Sequence, residues 1–198
     1  MEIQGREKTV SGYGRKVEMA RKTRETKIAV EMDIDGVGNY DVKVPDPFLK
    51  HMVETLARYA EFDIELAAVG DIEHHLIEDV ALTLGAALHE AIGDIPVARI
   101  GSATVPMDDA LVSVHLDLVD RPYVHVELSH DDMYEHFLRS FAMEARMTLH
   151  TQVLRGKDPH HITEATFKAL GKALHDASRP RGTVVSTKDK VRYKGKRK

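Results

Sequence analysis

The sequence predicts an α+β fold made of two copies of one half, each with the order strand, strand, helix, strand, helix. Short stretches of alternating apolar and polar residues separate segments with helical periodicity, and this order of patterns occurs twice along the chain. Residues 74–91 also align with residues 160–177 without a gap, at an offset of 86, and nine of the 18 positions are identical. We therefore expect the helices of each half to collect on one face of its sheet.

The predicted elements of the first half are strand 27–34, strand 40–44, helix 45–60, strand 62–69 and helix 75–91. Alternating hydrophobicity between turn residues indicates the strands. Asp46 and Pro47 are typical of a helix cap and first turn. Apolar residues recur at every fourth position from Leu76 to Leu88, which predicts an amphipathic helix that ends near Gly93.

The predicted elements of the second half are a connecting strand 98–105, strands 111–119 and 123–128, helix 133–147, strand 147–154 and helix 162–177. We accordingly expect an N-terminal extension (1–20), a first half (21–95), a connecting strand with the second half (96–188) and a basic C-terminal tail (189–198). The two halves should form one compact unit.

Some repeated residues need no chemical role. Gly85 and Gly171 repeat together with the leucines beside them, and helix packing explains all of these. His89 and His175 also repeat but lie toward the helix ends, where an interaction with the helix dipole is the better interpretation.

The composition excludes several classes of protein. No apolar run approaches the roughly 20 residues needed to span a bilayer, and the polar N-terminus is unlike a signal peptide. We therefore expect a cytoplasmic protein with no membrane partner. The absence of cysteine excludes disulfides, thiolate metal sites and cysteine nucleophiles, so any metal must be held by carboxylates and by the 12 histidines.

The two ends of the chain are basic and the body is acidic. Residues 1–27 hold 8 Lys/Arg against 4 Asp/Glu, and residues 188–198 hold 7 against 1, so the remainder carries a net charge of −14. Basic ends of this kind are usually solvated. Because no aromatic residues alternate with basic ones in the body, we do not expect a nucleic-acid groove there.

The pattern His-His-x-x-Glu occurs twice, at residues 74–78 and 160–164. Packing does not require two adjacent imidazoles, because consecutive helical positions point roughly 100° apart and cannot both face one core. A glutamate three and four residues later lies beside both histidines. Two metal ions suit this arrangement better than one, since each histidine pair can send one imidazole to each ion. A solvated helix start is the alternative, and it explains one copy better than two.

Further ligands are needed to complete two sites. His51, in the first helix, and His150, on a strand of the second half, are the candidates. With them the set holds six histidines and two glutamates, or three histidines and one glutamate per ion. Imidazole and carboxylate ligands suit manganese, iron(II) or zinc, and the lack of thiolate weakens the preference for zinc.

These motifs resemble the imidazoleglycerol-phosphate dehydratase family of histidine biosynthesis over roughly residues 20–188. The matching stretches, in order, are RETK, HMVETLARYAEFDIEL, GDIEHHLIEDVALTLG, RIGSATVPMDDAL, DRPYV, TLHTQVLRGKDPHHITEATFKAL and STK. The resemblance implies two halves with four-stranded sheets and helices on one face. It also implies a hydro-lyase that converts imidazole glycerol phosphate to imidazole acetol phosphate plus water. Trimers would assemble into a 24-mer with the active sites between subunits.

The resemblance also assigns residues to two manganese ions and to the substrate. One ion would take His74, His150, His160 and Glu164, and the other would take His51, His75, His161 and Glu78. The substrate imidazole would bridge the ions, and Glu25 of RETK would contact the substrate and act as general base. The phosphate would be bound by Arg99, Arg121, Lys168, Ser186 and Lys188.

The chain departs from the family pattern near the ligands. Lys50 stands before His51 where an aspartate is usual, and the acidic lead into the first histidine pair is reduced to Asp71 and Glu73. Such carboxylates commonly orient metal-bound imidazoles, so this departure bears on metal affinity.

Two other functions are compatible with the residues alone. A metal-dependent hydrolase would use the same dinuclear centre with a bridging water in place of imidazole. A non-enzymatic shell or binding protein of the same fold would contact RNA through its basic ends. Glu25 and the STK stretch argue against the second, because a scaffold does not need a phosphate clamp.

Overall fold

The structure, a computed structural model, describes residues 14–128, 132–183 and 185–186. The first half comprises β1 (Lys16–Lys22), β2 (Thr26–Asp33), β3 (Tyr40–Lys43), α1 (Pro47–Ala60), β4 (Asp63–Gly70) and α2 (Glu73–Ile92). The second half comprises β5 (Ile100–Met107), β6 (Ala110–Asp117), β7 (Tyr123–His125), α3 (Asp132–Glu144), β8 (Thr148–Arg155) and α4 (Pro159–Ser178).

Each half forms one four-stranded sheet of the same topology. The strand orders are β1-β2-β4-β3 and β5-β6-β8-β7. In both sheets the first three strands of this order are antiparallel, and the last strand pairs in parallel with its neighbour. The predicted α+β fold and its internal duplication are therefore confirmed.

The N-terminal boundary needs a correction, because the predicted limit at residue 21 falls inside β1. The segment 98–105, assigned to a connecting strand, corresponds to β5, the counterpart of β1 in the second half. The first half thus has one strand, β1, that the sequence pattern did not predict, whereas all four strands of the second half lie in segments predicted as strands. β1 is an edge strand in which only Val17 and Met19 pack partly against the core. Most of its other residues are charged, so the alternation of apolar and polar residues is too short to be recognised in the sequence.

The four helices of the described residues lie between the two sheets and join the halves. Helix α1 packs against α4 and α2 packs against α3, so both pairs cross from one half to the other. In β2 and β4, buried and exposed side chains alternate, which leaves the face of that sheet opposite the helices exposed. Phe137, Phe141 and Phe167 are among the largest buried side chains of the shared core.

Glycines allow the paired helices to approach closely, as expected for Gly85 and Gly171. A Cβ atom added to Gly85 would lie 2.4 Å from the carbonyl oxygen of Phe141 in α3. A Cβ atom added to Gly171 would lie 2.8 Å from Cβ of Tyr59 and 2.9 Å from the backbone nitrogen of Ala60, both in α1. At these two positions the backbones of the paired helices are therefore too close for a side chain to fit between them.

Side-chain caps fix the starts of α1 and α4, two of the helices that carry site residues. Asp46 accepts a hydrogen bond from the backbone N–H of Leu49 at the start of α1, and Asp158 accepts one from His160 at the start of α4. Gly93 ends α2 with a φ of 50°. In the described part of the chain, no helix is both long enough and apolar enough to span a membrane.

We expect Gly85→Ala to lower the free energy of unfolding of the metal-free protein by about 1–3 kcal/mol. The clash with Phe141 should outweigh the gain of up to about 1 kcal/mol that alanine brings to a helix interior. Denaturant unfolding would measure this difference. Gly182→Ala is the matched control, since a Cβ there would meet nothing within 4 Å in the described residues. Equal stability of the two variants would contradict the close-packing role.

Candidate metal centre

Both histidine pairs lie in the first turn of a helix, as the second and third residues of α2 and of α4. The rings of His74 and His75 are 6.1 Å apart between centroids and inclined at 84°. The rings of His160 and His161 are 6.0 Å apart and inclined at 86°. The two copies therefore have the same geometry, and within each pair the imidazoles point in different directions.

The first cluster lies where α4 packs against α1 and comprises His51, His160 and Glu164. The Nε2 atoms of His51 and His160 are each 3.3 Å from Oε2 of Glu164. In this α1–α4 cluster, one potential ligand atom from each residue lies within 4.8 Å of the others. One ion could therefore contact all three side chains.

The second cluster lies where α2 packs against α3 and comprises His74, Glu78 and His136. Nε2 of His74 is 3.8 Å from Oε2 of Glu78, and Nε2 of His136 is 3.4 Å from Oε1 of Glu78. The potential ligand atoms of this α2–α3 cluster also lie within 4.8 Å of one another. The two clusters are counterparts, because each combines the first histidine of a pair, the glutamate that follows it and the fifth residue of the packed helix.

The second histidine of each pair faces carboxylates instead. Nδ1 of His75 is 2.8 Å from Oδ1 of Asp71 and 3.8 Å from Oε2 of Glu25. Nδ1 of His161 is 2.7 Å from Oδ1 of Asp109. These bonds at Nδ1 leave Nε2 as the nitrogen suited to a metal ion and fix the ring.

The carboxylates change the proton affinity of both imidazoles. The hydrogen bond that His75 donates to Asp71 is the largest of the effects that raise the pKa of His75. The hydrogen bond that His161 donates to Asp109 does the same for His161. In return, the hydrogen bond to His161 is the main cause that lowers the pKa of Asp109 to about 2. Both rings therefore lie in a locally negative environment that favours cations.

Glu164 is the most buried carboxylate of the centre, with 7% of its surface exposed. Burial by itself would raise the pKa of Glu164, but the hydrogen bonds from Lys168 and His51 lower it below its ordinary value. Nζ of Lys168 is 2.7 Å from Oε1 of Glu164. Glu164 is therefore held in its charged form.

His150 does not join either cluster within one chain. It is exposed on β8 between the buried residues Leu149 and Thr151, so it lies on the face of the sheet opposite the helices. It pairs across the strands with His115 on one side and His125 on the other. A site containing both His150 and the helix histidines would need a second copy of the chain.

The predicted phosphate ligands are not gathered into one pocket within the chain. Arg99 donates hydrogen bonds to Asp117 and to the carbonyl oxygen of Val185, the residue before Ser186. Lys168 contacts Glu164 instead. The backbone of Arg99 bonds to Ala177, nine residues after Lys168 and thus about 13 Å further along α4.

The remaining members of the predicted phosphate set are Arg121 and Lys188. Arg121 is exposed, and its carbonyl oxygen accepts a hydrogen bond from Thr148. Lys188 lies outside the described residues, as does the basic tail.

His136 and the role of Asp109 were not predicted from the sequence. A signal for His136 exists in the duplication, because it is the fifth residue of α3 as His51 is of α1. A signal for Asp109 also exists, since the β5–β6 turn that carries it is the counterpart of the β1–β2 turn that carries Glu25. His89 and His175 lie in the last turns of α2 and α4, away from both clusters.

The fold and the site define a class of protein: a duplicated α+β unit whose paired helices build two histidine and glutamate clusters suited to divalent cations. Residues 45–174 match the family model described as imidazoleglycerol-phosphate dehydratase. The chain belongs to this family, and it is a dehydratase, which is a hydro-lyase.

Curated relatives and solved structures agree with this assignment. The imidazoleglycerol-phosphate dehydratase of Methanothermobacter thermautotrophicus is 46% identical over 86% of this chain and 95% of its own length. That of Dictyoglomus thermophilum is 41% identical over 89% of this chain and 99% of its own length. The crystal structure of the Pyrococcus furiosus protein, in complex with (S)-C348, matches with a TM-score of 0.78 and 38% identity over 87% of this chain and 100% of that chain.

We expect Asp109→Asn to lower the pKa of His161 in the metal-free protein, because it replaces the charged acceptor of the hydrogen bond that contributes most to the raised pKa with a neutral amide oxygen. NMR titration of the imidazole signals would measure the change. Asp108→Asn is the matched comparison and should lower the pKa less, since Asp108 acts on His161 only through its charge. Equal shifts in the two variants would contradict the assigned cause.

Proposed function

We propose that this chain converts imidazole glycerol phosphate to imidazole acetol phosphate plus water, at a dinuclear manganese site, in the cytoplasmic pathway of histidine biosynthesis. The observation that carries the proposal is the duplicated His-His-x-x-Glu geometry, with diverging rings in both copies, in a chain of this family. Two ions and one substrate placed between them suit this geometry.

The donor set fits manganese. The available donors are imidazole nitrogens and carboxylate oxygens, and the chain contains no cysteine. Such donors suit manganese or iron(II), and the lack of thiolate weakens the preference for zinc. Each proposed set holds three imidazoles and one carboxylate and therefore leaves coordination positions for water or for substrate.

The proposed ligand sets draw on more than one subunit. His74, His150, His160 and Glu164 would hold one ion, and His51, His75, His161 and Glu78 would hold the other. Within one chain, Glu164 lies beside His51, and His150 lies on the far face of its sheet. Assembly of trimers into a 24-mer, with each site between subunits, would bring the members of each set together.

The bound ions would supply positive charge that stabilises the negative charge developing on the substrate imidazole. Glu25 would remove the proton from the carbon chain, next to the leaving hydroxyl. Its carboxylate is half exposed and lies 3.8 Å from His75, so it reaches the solvent side of the metal centre. Thr23 accepts hydrogen bonds from the backbone N–H groups of Glu25 and Thr26, which holds the turn rigid.

A local group of cations would bind the phosphate. The body of the chain carries a net charge of −14, which repels an anionic substrate unless a basic pocket offsets it. Arg99, Arg121, Lys168, Ser186 and Lys188 are the proposed residues. Arginine forks match phosphate oxygens with two hydrogen bonds each. Because Arg99 and Lys168 point to different places in one chain, this pocket would also depend on neighbouring subunits.

Metal-stripped protein should regain formation of imidazole acetol phosphate when manganese is added. We expect Glu25→Gln to lower kcat by about 10²–10⁴ while both ions still bind, because it loses only the base. His75→Ala should lose one ion and turnover together. His89→Ala, on the exposed end of α2, is the control and should retain activity. Two bound ions without turnover in the wild type would overturn the proposed reaction.

Mixed assemblies would test whether sites are shared. His150→Ala and His160→Ala should each be inactive, but co-assembly from metal-stripped subunits should restore activity to at most about a quarter of the wild-type value. This limit follows if each site takes His150 from one subunit and His160 from another at random. The assay compares mixed and unmixed samples at equal protein concentration. Absence of any recovery would place both residues of a site in the same chain.

A further inference from the structure

His136 contacts the proposed centre, but neither proposed ligand set includes it. It lies on α3, and its ring stacks on that of His74, with 5.1 Å between centroids and an angle of 28° between planes. Its Nε2 is 3.4 Å from Oε1 of Glu78. The other oxygen of Glu78, Oε2, is 3.8 Å from His74. The carboxylate of Glu78 therefore lies between two imidazoles, one on its own helix and one on the packed helix.

Because the chain is duplicated, His136 can be compared with its counterpart in the first half, His51. His51 and His136 are the fifth residues of α1 and α3, and each faces the histidine and glutamate of the packed helix. The side chain of His51 is 47% exposed, so a partner subunit or an ion outside the chain can reach it. The Nε2 atom of His136 is buried instead. The two equivalent positions thus differ in exposure, since the His136 side chain is 33% exposed and its Nε2 atom is buried.

The buried Nε2 atom of His136 lies within reach of a carboxylate oxygen of Glu78. In the described part of the chain, Nε2 of His136 has no hydrogen-bond partner, and Oε1 of Glu78 is the acceptor beside it. Leaving a buried polar group unpaired costs about 1–3 kcal/mol, so a small rotation of the carboxylate that forms this bond is favoured. A carboxylate fixed through one oxygen presents the other oxygen in a constant direction.

We propose that His136 is a positioning residue that holds Glu78 through Oε1, so that Oε2 is directed at a metal ion. This inference rests on the proposed function for the identity of the ion. The Nε2–H of His136 donates to the carboxylate and does not contact the ion. The stacked ring of His136 also restrains His74, so one side chain orients ligands of both proposed ion sites.

Three substitutions separate positioning from packing. His136→Phe keeps the stacked ring and removes the donor. His136→Gln places an amide N–H near the position of Nε2, whereas His136→Asn is too short to reach Glu78. Manganese binding to metal-stripped protein, followed by EPR titration, gives the affinity for each ion. Denaturant unfolding of the metal-free protein gives the stability of each variant.

We expect His136→Phe and His136→Asn to weaken the binding of the ion held by Glu78 about 10–100-fold. His136→Gln should recover most of this affinity. The kcat/KM values should fall in the same order and rise again at high manganese concentration. Metal-free stability should not follow this order. If His136→Phe does not fold, the comparison of Gln with Asn decides the question.

Two results would overturn the inference. One is wild-type manganese affinity at both ions in His136→Phe and His136→Asn. The other is an equal loss of manganese affinity in His136→Gln, His136→Asn and His136→Phe that parallels the loss of stability of the metal-free variants. That result would show that His136 acts through packing. Failure of the proposed function is distinguishable, because a wild type without turnover could still show the Gln and Asn difference in manganese affinity.

Discussion

The close contact between helices of different halves is the constraint on which the candidate centre depends. Gly171 lets α4 approach the backbone of α1 at Tyr59 and Ala60, and Gly85 lets α2 approach α3 at Phe141. These contacts set the distance between paired helices, and that distance decides whether His51 reaches Glu164. Without them, His51 and His136 would lie apart from the glutamates of the packed helices. The packing of two glycines therefore controls the geometry of six ligand-type side chains.

Electrostatics then decides what these side chains can bind. A histidine at a helix N-terminus lies in the positive end of the helix dipole, which disfavours the imidazolium form. Asp71 and Asp109 oppose this effect and raise the pKa of His75 and His161. The same hydrogen bonds make the imidazoles stronger ligands, so metal ions and protons compete for them. Although Lys50 and the reduced acidic stretch before His74 depart from the family pattern, His75 and His161 each keep a carboxylate partner.

Most of the fold was predictable because it is local and repeated. The helices follow from apolar periodicity and caps such as Asp46, and the duplication follows from the match between 74–91 and 160–177.

β1 was missed because an edge strand buries only alternate residues of one face, and here only Val17 and Met19 do so. His136 and Asp109 were missed because they act on residues of other elements. Sequence spacing within one helix does not tell which helix packs against it. The predicted ligand and phosphate sets stay predictions, because they depend on contacts between subunits.

The duplication places histidines at matching positions of the helices but different residues at matching positions of the sheets, and this difference bears on how the site is shared. The third residue of β8 is His150, whereas the third residue of β4 is Glu65, and both are exposed on the outer faces of their sheets. Only the second sheet can therefore offer an imidazole to a neighbouring subunit. On the helix side, His51 is accessible and the Nε2 atom of His136 is buried. If the proposed sets hold, one ion takes its third histidine from a sheet and the other takes it from a helix. Both ions would then have three histidines and one glutamate as ligands, although the third histidine comes from a sheet of the second half in one case and from a helix of the first half in the other.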